Sequence, residues 1–129
     1  MEDRTHHRQE LGKIGEDIAC QFLISKGHMV LERNWRWRHL EIDLVTWTPE
    51  GIHFVEVKTR RFNIQAPPQE NVDKMKQKRI AQAAQKFLMT SKGLPFSENE
   101  CFFDVAAITF EGNEACIDYL EQAYIPIYL

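Results

Sequence analysis

The chain has 129 residues, enough for one domain that buries roughly two thirds of its unfolded surface, and its 43% hydrophobic and 27% charged residues suit an ordinary globular protein. A net charge of −3 lacks the overall basic footprint usual in nucleic-acid binders, yet the charge is unevenly placed, with a basic middle (Arg33 to Arg79) between acidic termini (Glu98 to Glu121 at the far end). No apolar run approaches the roughly 18 residues of a membrane-spanning helix, and residues 1–10 are too polar for an export signal, so the reading is a cytoplasmic protein with a disordered start.

Leu11, Ile14, Ile18, Ala19, Phe22 and Leu23 recur at helical spacing, and Lys26-Gly27 supplies a stop, which predicts a first helix. At about 100° per residue, Glu16 falls on the flank of that stripe, within reach of a sheet beneath. His28 to Arg33 and Trp35 to Arg38 predict a strand broken at Asn34. The apolar runs on either side of Thr48-Pro49-Glu50-Gly51 predict a β-hairpin, with Pro and Gly where a type I turn prefers them.

A loop is predicted from Arg61 to Glu70, because Pro67-Pro68 forbids regular structure, and its position suits contact with a substrate. A second helix runs from Asn71 or Val72 to Thr90, with Val72, Met75, Ile80, Ala83, Ala84, Phe87 and Leu88 as its buried stripe. Within it Lys76 and Arg79 share a face that could meet phosphates. Cys101 to Phe110 and Ala115 to Leu120 predict strands around a tight turn, with Asp104 as a buried, paired acid whose partner would be an Arg. Tyr124 to Leu129 is a final apolar segment that Pro126 directs to a sheet edge. Cys20, Cys101 and Cys116 lack zinc-type spacing and read as buried thiols. This order of elements predicts a single α/β domain spanning residues 1–129, a mixed central β-sheet flanked by helices.

The hairpin carries the chemistry. With a loop symmetric about the Pro49 to Glu50 bond, Asp43 lies opposite Glu56 and Glu41 opposite Lys58. Alternation along a strand then projects all four side chains to one face. The same alternation puts Ile42, Leu44, Val55 and Val57 on one face, with Val45, Trp47, Ile52 and Phe54 on the other. Like charges facing each other across a ladder cost about 0.2 to 1 kcal/mol, which a divalent cation would offset. Two plainer readings stand beside this one: Glu41 and Lys58 as a cross-strand ion pair, and Asp43 satisfied by Arg36 or Arg38.

Asp43 followed by Glu56-Val57-Lys58, with an acid on a preceding helix, resembles the PD-(D/E)xK nuclease superfamily. More narrowly the chain resembles the YraN-like family of small bacterial proteins, which are similar in fold to Holliday-junction resolvases. The matching residues are Gly15-Glu16, Ala19, Leu23, Gly27, Arg33-Asn34, Arg36, Glu41 to Leu44, Phe54 to Lys58, Arg60, Lys76 to Ile80, Ala84 and Phe103 to Val105. The chain departs at Leu40, where the family has Gly, and at Phe102, where it has Arg.

The resemblance implies a restriction-endonuclease-like core and a Mg²⁺- or Mn²⁺-dependent endonuclease acting on DNA, in particular on branched intermediates. It implies Asp43 and Glu56 as metal ligands, joined by the Val57 carbonyl, with Lys58 orienting a water and Glu16 holding a metal-bound water or a second ion. Arg36, Arg38, Arg60, Lys76 and Arg79 would contact nucleic acid, and resolving a four-way junction would take a homodimer. Two alternatives remain open: a nucleic-acid-binding module of the same fold without cleavage, and a regulatory domain whose acidic ends bind a protein partner.

Overall fold

A computed structural model describes residues 4–62 and 73–126, with side chains from residue 9 onward. The elements are α1 (Arg4–Ser25), β1 (Met29–Trp37), β2 (Leu40–Thr48), β3 (Gly51–Arg61), α2 (Lys74–Leu88), a short 3₁₀ turn (Leu94–Phe96), β4 (Cys101–Glu111) and β5 (Glu114–Leu120). The sheet has the order β1-β2-β3-β4-β5. All neighbours are antiparallel except β3 and β4, which are parallel and joined through α2. One helix covers each face, which makes the predicted α/β architecture with a mixed sheet, consistent with a restriction-endonuclease-like core.

Each face has its own apolar core. On one side Leu40, Ile42, Val45, Ile52, Phe54, Phe103 and Val105 pack against Ile80, Ala83, Ala84 and Phe87 of α2. On the other, Leu44, Val55, Ala106 and Ile108 pack against Ala19, Cys20 and Leu23 of α1. Burying a large aliphatic or aromatic side chain contributes roughly 1.5 to 3 kcal/mol. Removing Phe87, which is fully buried and meets Trp35 and Phe54 edge-on, would therefore open the α2 side.

Gly15 explains how closely α1 sits. A Cβ built there would lie 1.9 Å from Thr59 Cγ2, so only glycine lets the helix backbone rest on β3. The stripe consequently centres on Gly15, Ala19 and Leu23, and Ile14, predicted to be buried, is exposed. Helix α1 also begins at Arg4, inside the stretch expected to be disordered; once nucleated, a helix gains one hydrogen bond per residue fixed, without an apolar repeat.

The hairpin loop is the two-residue Pro49-Glu50, and its register is the symmetric one: Thr48↔Gly51, Trp47↔Ile52, Thr46↔His53, Val45↔Phe54 and Leu44↔Val55. The face assignment needs one correction. Ile42 and Leu40 join the α2 core, not the α1 core with Leu44 and Val55. The alternation breaks between Ile42 and Leu44. The partner strand breaks at the matching place, where Asn34 has φ 51, so Arg33 reaches toward α1 while Trp35 packs on Phe87.

Helix α2 is shorter than predicted, capped by Asp73, whose side chain accepts from the Lys76 N–H at 2.8 Å. Met75 is 69% exposed rather than core, because the first turn of α2 lies over the charged end of β3, where Lys76 meets Glu56, and not over apolar side chains. Of the loop predicted from Arg61 to Glu70, Arg61 instead ends β3, and residues 63–70, with Val72, lie outside the described residues. Gln122, with φ 51, turns the chain so that Tyr124 stacks near Phe103 and residues 123–126 form no strand. Of the three thiols Cys20 is buried, whereas Cys116 is exposed on β5, the sheet's edge strand.

Candidate metal and nucleic-acid site

Strands β2 and β3 separate just past Leu44↔Val55, the last pair of their ladder. Asp43 and Glu56 occupy the next positions, at the fork. There the Val57 N–H donates to Asp43 Oδ2 at 2.8 Å, so a carboxylate lies in the plane of the sheet where a strand carbonyl would otherwise accept. The rotation of β2 at this residue is what turns the Asp43 side chain into that gap.

Four carboxylates converge electrostatically. Burial is the main cause that raises the Asp43 pKa from an ordinary carboxylate value to about 7; the Val57 hydrogen bond opposes it, and the charges of Glu56, Glu16 and Glu41 add to it. Glu16 reaches this neighbourhood because Gly15 seats α1 on β3, while the next residue, Asp17, accepts from Arg33 at 2.6 Å and ties the helix to β1. Glu41 lies between Leu40 and Ile42, which face α2, so it turns to the opposite side from Glu56 and Lys58 and pairs with Arg36 at 3.4 Å. The expected set of four on one face is therefore split: Glu56 and Lys58 lie on the α2 face, Asp43 lies between the faces, and Glu41 turns to the other face, from which its charge still acts on Asp43.

The expected ion pairs are also redistributed. Neither Arg36 nor Arg38 satisfies Asp43: Arg36 pairs with Glu41, and Arg38, at φ 57 in the β1–β2 turn, lies 4.5 Å from the Trp37 ring centroid. Glu56, 11% exposed, is paired with Lys76 Nζ from α2. Lys58 is half-buried two residues beyond Glu56 and pairs through its backbone position with Ala107 of β4. Arg60 Nε donates to Thr109 Oγ1 at 3.5 Å further along β3, and Arg79 is exposed on α2. Of the proposed phosphate contacts, Lys76 touches the acid pair. Its ε-ammonium on Glu56 was not foreseen; the signal available was Asp73, whose cap fixes where the helix begins and hence which lysine overhangs the strand.

The donor set suits a hard, strongly hydrated cation. Mg²⁺ commonly uses one or two carboxylates and keeps several waters, and Asp43 with Glu56 supplies that number. Among the described residues no three His, Cys, Asp or Glu side chains are gathered closely enough to hold one ion by themselves, so an ion at Asp43 and Glu56 would take its other ligands from backbone, water or substrate.

A second polar cluster lies on the α1 face of the sheet. Asp104 is fully buried and accepts from Tyr119 Oη, from the Gln122 N–H at 2.9 Å, and from His53 Nδ1 at 2.7 Å. Its partner is thus a histidine rather than the arginine predicted. His53 Nε2 meets Thr48 Oγ1 at 3.0 Å, and His28 packs beside it with its pKa lowered by burial and by the neighbouring His53. His28, Thr48, His53 and Tyr119 line an open cavity of about 700 Å³ near the end of α1.

Residues 15–108 match the family model described as uncharacterised protein family UPF0102. Similar proteins include UPF0102 proteins from Desulforamulus reducens (34% identical, covering 90% of this chain and 96% of the relative), Geobacter metallireducens (38%, covering 92% and 94%) and Syntrophomonas wolfei (39%, covering 90% and 98%). The matched span contains every side chain of the acid site just described, from Glu16 to Lys76.

Proposed function

The chain belongs to the uncharacterised protein family UPF0102, the YraN-like family its motifs resemble, and from the acid pair at the centre of the matched span we propose that it is a metal-dependent endonuclease hydrolysing phosphodiester bonds in DNA. The observation that carries this reading is the placement of Asp43 and Glu56 at the fork of β2 and β3, with Asp43 raised to about 7 by burial and surrounding carboxylates. Concentrating negative charge at the open end of β2 and β3 costs stability, and a bound cation would offset that cost.

A bound Mg²⁺ or Mn²⁺ would neutralise charge on the phosphoryl oxygens and acidify a water. Asp43 and Glu56 would hold it, with the Val57 carbonyl as a further donor; the Val57 N–H keeps the Asp43 carboxylate in position. Lys58, on the same face as Glu56, would orient the attacking water and offset phosphate charge. Glu16 would hold a water on the α1 side. Arg36, Arg38, Arg60, Lys76 and Arg79 would track the phosphate backbone. No helix among the described residues is long and apolar enough to cross a membrane. A four-way junction presents two strands for cutting, so action on branched DNA further requires two copies of the chain.

One observation favours a second reading, a nucleic-acid-binding module without cleavage: Glu56 already has Lys76 as a counter-charge. Cleavage of branched and linear DNAs in Mn²⁺, comparing the native chain with Lys58→Ala, separates the two. Nicking by the native protein alone supports the endonuclease; retained binding with no nicking by either protein transfers the assignment to the binding module.

A further inference from the structure

Lys76 occupies the first turn of α2, where the free backbone N–H groups carry partial positive charge. That turn contains Lys74 and Lys76 and no acid, which is an unfavourable arrangement for the helix itself. The compensation comes from the Asp73 cap and from the sheet. Lys76 Nζ donates to the Glu56 carboxylate, and the charges of Asp43 and Asp73 add to the attraction. The two partners are held unequally: the Glu56 side chain is 11% exposed, Lys76 48%. Asp73 pins the Lys76 backbone, while its four-carbon stem lets the ammonium move without the helix moving.

We propose that Lys76 is the resident counter-ion of the acid pair: it occupies the cation position on Glu56 until a divalent ion binds, yields it, and is then released toward a phosphate of the nucleic-acid strand. This rests on the metal site of the preceding subsection and adds an order of events to it. Lys76 competes with the ion for one carboxylate, so removing the ammonium tightens ion binding. Once displaced, the same ammonium adds positive charge to the phosphate-facing surface, so ion and nucleic acid favour each other's binding.

Calorimetric titration of the full chain with Mn²⁺ alone, without nucleic acid, tests this independently of cleavage. The expected result is that Lys76→Gln binds Mn²⁺ about threefold to tenfold more tightly than the native chain. Lys74→Gln, which removes an equal charge from the same turn without touching Glu56, should change affinity by less than about twofold. Lys76→Arg, whose guanidinium can grip a carboxylate with two hydrogen bonds, should bind no more tightly than the native chain. An equal gain in Lys74→Gln, or no gain in Lys76→Gln while native binding is abolished by Asp43→Asn, overturns the role of Lys76 and leaves the metal site standing. Absence of Mn²⁺ binding by the native chain and Lys76→Gln alike removes both.

Discussion

The Val57 backbone N–H donates to Asp43 Oδ2 at 2.8 Å, one step beyond the last backbone pair of β2 and β3. One side chain thereby does two things: it closes the frayed end of the central hairpin, and it holds a carboxylate rigidly beside Glu56.

Burial chiefly raises Asp43 to about 7, and this has a direct consequence for stability. Below about pH 4 the folded and unfolded chains both hold the proton; between about 4 and 7 only the folded chain does; above that neither does. Stability attributable to this group is therefore lost as pH rises through that window, the reverse of a salt-bridged carboxylate. Asp43→Asn keeps an acceptor for Val57 and removes the charge, so its stability relative to the native chain should improve by ~2 kcal/mol between pH 5 and pH 8. Urea unfolding of both proteins at the two pH values measures this, and comparing the two proteins cancels the opposite contribution of His28, whose lowered pKa favours folding more as pH rises. A pH-independent difference would show that Asp43 does not titrate there.

On the endonuclease reading, Lys58→Ala and Glu56→Gln should fail in different ways. Losing the water-orienting ammonium should cut the rate by about 10² or more while leaving Mn²⁺ affinity nearly unchanged. Losing a metal ligand should abolish Mn²⁺ binding and cleavage together. Single-turnover cleavage paired with calorimetry on each variant distinguishes them; identical behaviour would mean that the two residues do not have separate roles.

Gly15→Ala tests the seating of α1. Alanine favours a helix by about 1 kcal/mol over glycine, but here its Cβ would fall 1.9 Å from Thr59 Cγ2. The clash should win, for a net loss of about 1 to 3 kcal/mol. Combining Gly15→Ala with Thr59→Ser, which removes the offending methyl, should recover most of it. A double-mutant cycle by thermal or urea unfolding that finds the two changes additive would place α1 differently.

Asp104→Ala would strand three donors, the buried His53 ring, the half-buried Tyr119 hydroxyl and the Gln122 backbone N–H. The expected cost is ~3 to 5 kcal/mol, against about 1 kcal/mol for Tyr119→Phe, which deletes one hydrogen bond and keeps the ring. Chemical unfolding orders the two; equal costs would mean that the Tyr119 contact carries the cluster.

Much of the architecture was legible in local pattern. Pro49 and Gly51 around a two-residue loop specified the hairpin register, and the register placed Asp43 and Glu56 at neighbouring positions of adjacent strands. The helical repeat put Glu16 on the flank that meets the site. Asn34 marked the break in β1 that the left-handed φ explains. These features depend on residues within one turn or one hairpin, where short-range sterics and alternation act alone.

What local pattern could not decide is which groups meet across elements. A period of two assumes an unbroken strand, and the coupled rotation at Asn34 and Asp43 moved Ile42 to the other core and turned Glu41 away from Lys58 toward Arg36. His53 finds Asp104 because β4 lies parallel to β3 after a crossover through α2, and Lys76 finds Glu56 because α2 begins over that end of the sheet. The sequence by itself determined the elements, the hairpin register and the residues able to hold an ion. Only the tertiary structure decided the charge balance among them, because burial and pairing arise from packing between segments far apart in the chain.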